Sequence, residues 1–112
     1  MQQISHIRPD IRIYCNGLIE IFTAAARRIG LSRESQILFY VDNDNNAYIR
    51  KVDEGIKPTS VHGSCFLRFH SITTVKQILS LPDIPKGITH AGFRIGQPED
   101  GASFPIITRR VL

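Results

Sequence analysis

An Asn16-Gly17 pair sits between two short runs of alternating apolar residues, and it constrains this chain more than any other feature. Upstream, Ile11, Ile13 and Cys15 alternate with Arg12 and Tyr14. Downstream, Ile19 and Ile21 alternate with Leu18, Glu20 and Phe22. A period of two is the pattern of a strand with one buried face. Asn and Gly both accept positive φ, so the pair closes a tight antiparallel hairpin.

A short helix follows directly. Ala24, Ala25 and Ala26 are strong helix formers, and Thr23 ahead of them reads as an N-cap. Arg27 and Arg28 suit the negative end of the helix dipole, and Gly30 suits the left-handed residue that stops a helix. A second hairpin comes next. Gln36–Val41 and Ala47–Val52 are strand-like, and Asp42–Asn46 supplies turn residues between them. Asp53 to His62, with Gly55 and Pro58, reads as a polar linker.

The second half repeats the order strand, helix, strand, strand. Cys65–Phe69 is a strand, with Cys65, Leu67 and Phe69 on one face and Phe66 and Arg68 on the other. Ser71 caps a helix over Ile72–Leu81, where Val75, Ile78 and Leu79 fall at helical spacing. Pro82–Gly87 is a breaker-rich loop. His90–Ile95 and Phe104–Thr108 are further strands, and Gly92 and Gly96 read as strand-end or bulge residues. The expected fold class is α+β, mostly antiparallel strands with two short helices. It admits a swapped-hairpin-like barrel built from pseudo-repeated β-α-β-β units. Residues 1–53 and 54–112 are the expected units, packed as one compact domain.

Composition bounds the function classes. The chain has 112 residues, 42% of them hydrophobic, and no apolar run long enough to span a membrane. Residues Met1 to Asp10 lack a signal pattern, so a cytoplasmic protein is expected. Cys15 and Cys65 read as free thiols rather than a disulfide framework. The net charge is +4, which permits nucleic-acid binding. Through Asp53 there are seven basic and six acidic residues, and beyond it seven and four. The excess is therefore spread through the chain.

The block from Ile11 to Lys51 resembles the swapped-hairpin DNA-binding domain of AbrB-type regulators and MazE-type antitoxins. Gly17, Leu18-Ile19-Glu20-Ile21, Thr23 to Arg28, Ile29-Gly30-Leu31 and Ile37 to Asp42 carry the resemblance. It implies two interleaved chains forming one barrel, and hence a homodimer on double-stranded DNA. By position it implies DNA contacts from Arg12 and Arg27, and from Arg28 as the helix neighbour. Three positions depart from that pattern: Phe22 stands for a proline, Leu18 for a basic residue after the glycine, and Ala26 for a second basic helix position. If the second half is another copy, one chain supplies both halves of the barrel. Arg50, Lys51, Arg109 and Arg110 are further basic candidates near strand ends.

Bland readings compete with each motif. A basic pair at a helix C-terminus needs only the dipole. His62, Cys65 and His70 lack the paired spacing of a zinc site, and no third group orients a thiol–imidazole pair. The Asp42–Asn46 run lacks the glycine and distal glutamate of a calcium loop. No phosphate-binding glycine loop is present. Phe66, Phe69, Phe93, Phe104 and Tyr40 interleave with basic residues and make either core or a single-strand stacking surface. The sequence thus predicts a DNA-binding protein of regulator or antitoxin type. The alternatives are a non-enzymatic interaction module and a single-stranded nucleic-acid binder. No catalytic residue, metal site or cofactor is predicted.

Overall fold

The computed structural model describes residues 9–59, 66–98, 100–109 and 111–112. The fold is α+β, with two short helices and a curled antiparallel sheet that forms a partial barrel. In chain order the elements are β1 (Ile11–Tyr14), β2 (Leu18–Phe22), α1 (Thr23–Ile29), β3 (Gln36–Val41), β4 (Ala47–Val52), β5 (Phe66–His70), α2 (Ile72–Leu79), β6 (His90–Ile95) and β7 (Ser103–Ile107). The seven strands lie in the order β3-β4-β7-β6-β1-β2-β5.

The alternation read from the sequence places the core. Ile11, Ile13, Ile19, Ile21, Ile37, Ile49, Phe69 and Phe93 are fully buried on the inner face of the sheet. Ala25, Ala26 and Ile29 of α1, and Val75 and Ile78 of α2, pack into the same cluster. Phe69 and Phe93 are therefore core residues and not part of any stacking surface. Burying a phenylalanine contributes about 2–3 kcal/mol, reason enough for their positions.

The two helices start differently. Ser71 Oγ accepts from the Thr74 amide at 3.3 Å, the side-chain cap expected for α2. Thr23 is not the cap of α1: it is the first helical residue, and extended Phe22 precedes it with no side-chain cap bond. The reason is that β2 runs into α1 without a loop, and the Phe22 amide is held by Asp10 O at 3.0 Å. Gly30 ends α1 at φ 85°, as its sequence position implied. Gln36–Val41 and Ala47–Val52 form the second hairpin, whose turn is held by Asp42 Oδ1 accepting from the Asp44 and Asn46 amides, both at 2.9 Å.

The segment read as a linker has a structural task. Ile37 and Ile56 exchange two backbone hydrogen bonds at 3.0 and 2.8 Å, and the Thr59 amide donates to Arg68 O at 2.8 Å. Residues 56–59 thus bridge β3 to β5, the two strands at the ends of the sheet order. Polar composition marked the segment as a loop because short pairings of this kind leave no periodic signal.

The pairings are unchanged when β2, β3 and β4 are exchanged for β5, β6 and β7. The β2–β5 and β4–β7 ladders map onto themselves, and β3–β4 maps onto β6–β7. Strand β1, between β6 and β2, corresponds to residues 56–59 between β3 and β5. One chain therefore carries both copies of this pairing scheme.

Candidate nucleic-acid interface

The outer face of the sheet, opposite the core, carries the polar and aromatic members of each strand. Strand register arranges them in rows across β6, β1, β2 and β5. Gly92, Arg12, Glu20 and Arg68 are cross-strand neighbours in one row. His90, Tyr14, Leu18 and His70 form a second. Phe22 and Phe66 are partners in a third. They lie beside Asp10, which bonds Phe22 through its backbone and meets Arg94 at 3.5 Å.

Glu20 anchors the middle row. It is only 5% exposed, although it stands on the outer side of the sheet. Tyr14 OH donates to its Oε1 at 2.6 Å, and Arg68 Nε donates to its Oε2 at 3.2 Å. A buried carboxylate without hydrogen-bond partners is costly, and these two contacts satisfy both of its oxygens. Burial, and then the Glu20 hydrogen bond, raise the Tyr14 hydroxyl pKa above 10.0, with Arg12 opposing.

The aromatic row is framed by cations. The Phe22 and Phe66 ring centroids are 5.3 Å apart at 58°. The Arg12 guanidinium lies 5.6 Å from the Phe22 centroid, and that of Arg68 lies 4.9 Å from the Phe66 centroid. Tyr14 stacks on His90 at 5.8 Å. Gly92 is not a strand-end residue but lies mid-strand in β6. A Cβ there would stand 2.9 Å from Pro9 Cβ, and the Leu112 amide bonds Gly92 O at 2.8 Å. Only glycine leaves room for that chain crossing.

The basic residues singled out from the sequence fall into different settings. Arg12 stands half-buried in the outer face, over Phe22. Arg27 is exposed in the last turn of α1. Arg28 is engaged internally: it donates to Asp10 Oδ2 at 2.8 Å and to Ile95 O at 3.0 Å. Asp10, 7% exposed, also accepts from the Ile95 amide at 2.8 Å. Lys51 Nζ donates to Gly30 O at 3.2 Å, satisfying a carbonyl at the end of α1. Arg50 is exposed on the outer side of β4, opposite Ser103; hydrogen bonds from the Ser103 and Ala102 amides, with a smaller contribution from Arg50, lower the Asp100 pKa. Arg109 is exposed beyond β7, and Arg110 lies outside the described residues.

Sequence reading missed Phe22 and Arg94 as site residues. The signal was present: each falls on the polar side of a period-two pattern. The pairing of β2 with β5, which joins Phe22 to Phe66, was not readable from spacing.

Among the described residues, no three His, Cys, Asp or Glu side chains group as metal ligands, and no helix is long and apolar enough to cross a membrane. Cys15 is an exposed free thiol. The His62–Cys65 motif lies outside the described residues. No protein-family model, curated protein or solved structure matches this chain.

Proposed function

We propose that the protein binds single-stranded nucleic acid across the outer face of β6, β1, β2 and β5. The observation that carries this reading is the Phe22–Phe66 ring pair flanked by Arg12 and Arg68. Aromatic faces stack on any base, and arginine adds both a stacking plane and phosphate neutralisation. Arg12, Arg68 and Arg94 stand on this face beside Glu20 and Asp10, with which Arg68 and Arg94 form ion pairs. Strand register sets these groups side by side on the outer face of the curled sheet.

Duplex DNA binding of regulator or antitoxin type is the second reading, favoured by exposed Arg27 on α1. Its set of contacts is thinner, since Arg28 and Lys51 already donate within the fold. The homodimer implied by the resemblance belongs to that reading.

Fluorescence anisotropy with single-stranded and duplex oligonucleotides of one sequence separates the two. The expected result is single-strand preference, a steep loss with salt, and weakening in Phe66→Ala. Duplex preference that depends on Arg27 and not on Phe66 transfers the conclusion to the regulator reading.

A further inference from the structure

We infer that the free edge of β3 docks a second copy of this chain, strand to strand, about a two-fold axis at Tyr40. The inference stands apart from the nucleic-acid reading, because β3 lies outside the face of β6, β1, β2 and β5.

Backbone direction defines the edge. Along an antiparallel strand, successive residues point their N–H and C=O groups to opposite sides. Ile37 turns both groups away from β4, to Ile56, at 3.0 and 2.8 Å. The β3–β4 register is regular, so Phe39 and Val41 turn theirs to the same side as Ile37. Among the described residues, no group bonds them on that side.

The other half of the molecule shows the same edge closed. Phe93 of β6 pairs with Ile11 as Ile37 pairs with Ile56. Beyond Phe93 on that side, the Ile95 amide donates to Asp10 Oδ2 at 2.8 Å, and Ile95 O accepts from Arg28 Nη1 at 3.0 Å. Phe39 holds the matching place on β3 and has neither cap. Gly55 precedes Ile56 where Asp10 precedes Ile11. A Cβ at Gly55 would stand 2.5 Å from Ile37 O, so no capping side chain fits there. An uncapped edge is a template for another strand.

The residues along this edge complement their own reverse, which selects a second copy as the occupant. With Tyr40 on the axis, Phe39 of one chain lies opposite Val41 of the other, and each such pair exchanges both N–H···O bonds. Phe39 and Val41 are inner-face hydrophobics that remain only partly buried, so apolar meets apolar. On the outer face the Tyr40 ring, 43% exposed, meets its own copy, and aromatic cross-strand pairs are stabilising. Next in register, Asp42 faces Leu38, whose partner on β4 is the exposed Arg50. Two strand spacings, about 10 Å, separate that acid from that arginine, within the combined reach of the side chains. A self-complementary patch gives a closed dimer. Each chain keeps all its own pairings, unlike the interleaved hairpins that the sequence resemblance implies.

Sedimentation over a range of concentrations tests this on the native chain, Tyr40→Lys, Tyr40→Glu and an equimolar mixture of the two variants. The native chain is expected to be a dimer. Each variant alone sets like charges across the axis and should weaken association about tenfold or more. The mixture sets opposite charges there and should restore the dimer. Val41→Pro removes an outward N–H, leaves the β3–β4 bonds in place, and should also give monomers. Circular dichroism melts show that each variant is folded. A native chain that stays monomeric overturns the inference. So does a dimer that neither Tyr40→Lys nor a folded Val41→Pro weakens, and so does a mixture that remains monomeric.

Discussion

Where β2 meets β5, the outer face carries Glu20 and Arg68 locked together beneath Tyr14, with an arginine over each phenylalanine ring. Where β4 meets β7, the equivalent crossing of the two halves carries Tyr48 against Pro105, an open cleft, and acids bonded to their own turns. The same pairing scheme thus closes twice with different chemistry. The first junction is fastened on both faces, by buried isoleucines inside and an ion pair outside. The second is fastened on its inner face through Ala47, Ile49 and Ile106, with Arg50 near Asp100 on the outer face. Outer-face side chains at the first junction therefore hold the two strands together through an ion pair, whereas at the second the Tyr48 hydroxyl bonds Asp42 in the turn of its own hairpin.

That contrast yields its largest expected effect at Glu20. Glu20→Ala leaves Arg68 and the Tyr14 hydroxyl without their partner. Arg68 is 35% exposed, so water recovers part of the loss, and the expected cost is about 2 kcal/mol, below the ~3–5 of a fully buried pair. Asp100→Asn at the other junction, where the carboxyl is fully exposed, should cost far less. Urea unfolding of both variants checks this, and equal losses break the comparison.

Next comes binding at the first junction. Replacing both Phe22 and Phe66 by alanine should weaken single-strand affinity by at least tenfold, since each stacked base contributes about 1–3 kcal/mol. A double variant that folds and binds normally removes the aromatic row from the site.

The Tyr14–Glu20 bond gives a smaller, pH-dependent effect. The folded-state pKa of Tyr14 is raised above its ordinary 10.0. Its contribution is therefore complete below pH 10 and declines as pH rises through the folded value. Tyr14→Phe should lose about 1 kcal/mol at neutral pH and show a weaker alkaline decline. Denaturation midpoints at pH 8 to about 11 test this against the unfolded value; identical slopes in the two chains contradict the assignment.

The smallest effect lies at the second junction and at the opposite end of the pH scale. Depressed pKa values at Asp42 and Asp100 mean that their contribution holds above the unfolded carboxylate value, near pH 3.8. It is lost as pH falls through the lower folded values. Both groups are fully exposed, so Asp100→Asn should shift only the acid side of the stability profile, and slightly. A change of equal size at alkaline pH places the effect elsewhere.

The period-two patterns, the Asn16-Gly17 turn, the Ser71 cap and Gly30 were legible in the sequence because each is a local rule about backbone conformation or face. So were the two repeats of strand, helix, strand, strand, and the assignment of Arg12, Glu20 and Phe66 to polar faces. Which strands pair was not legible. Register between Phe22 and Phe66, or between Tyr48 and Pro105, joins residues more than forty positions apart, and spacing along the chain carries no record of such meetings. Nor could charge alone tell Arg12 from Arg28: both are arginines near a hairpin, and only the folded chain brings Asp10 and Ile95 O to one and an aromatic ring to the other. The sequence determined which faces turn inward, since burial follows local alternation. The tertiary structure decided which outward groups meet, because that depends on how distant strands are brought side by side.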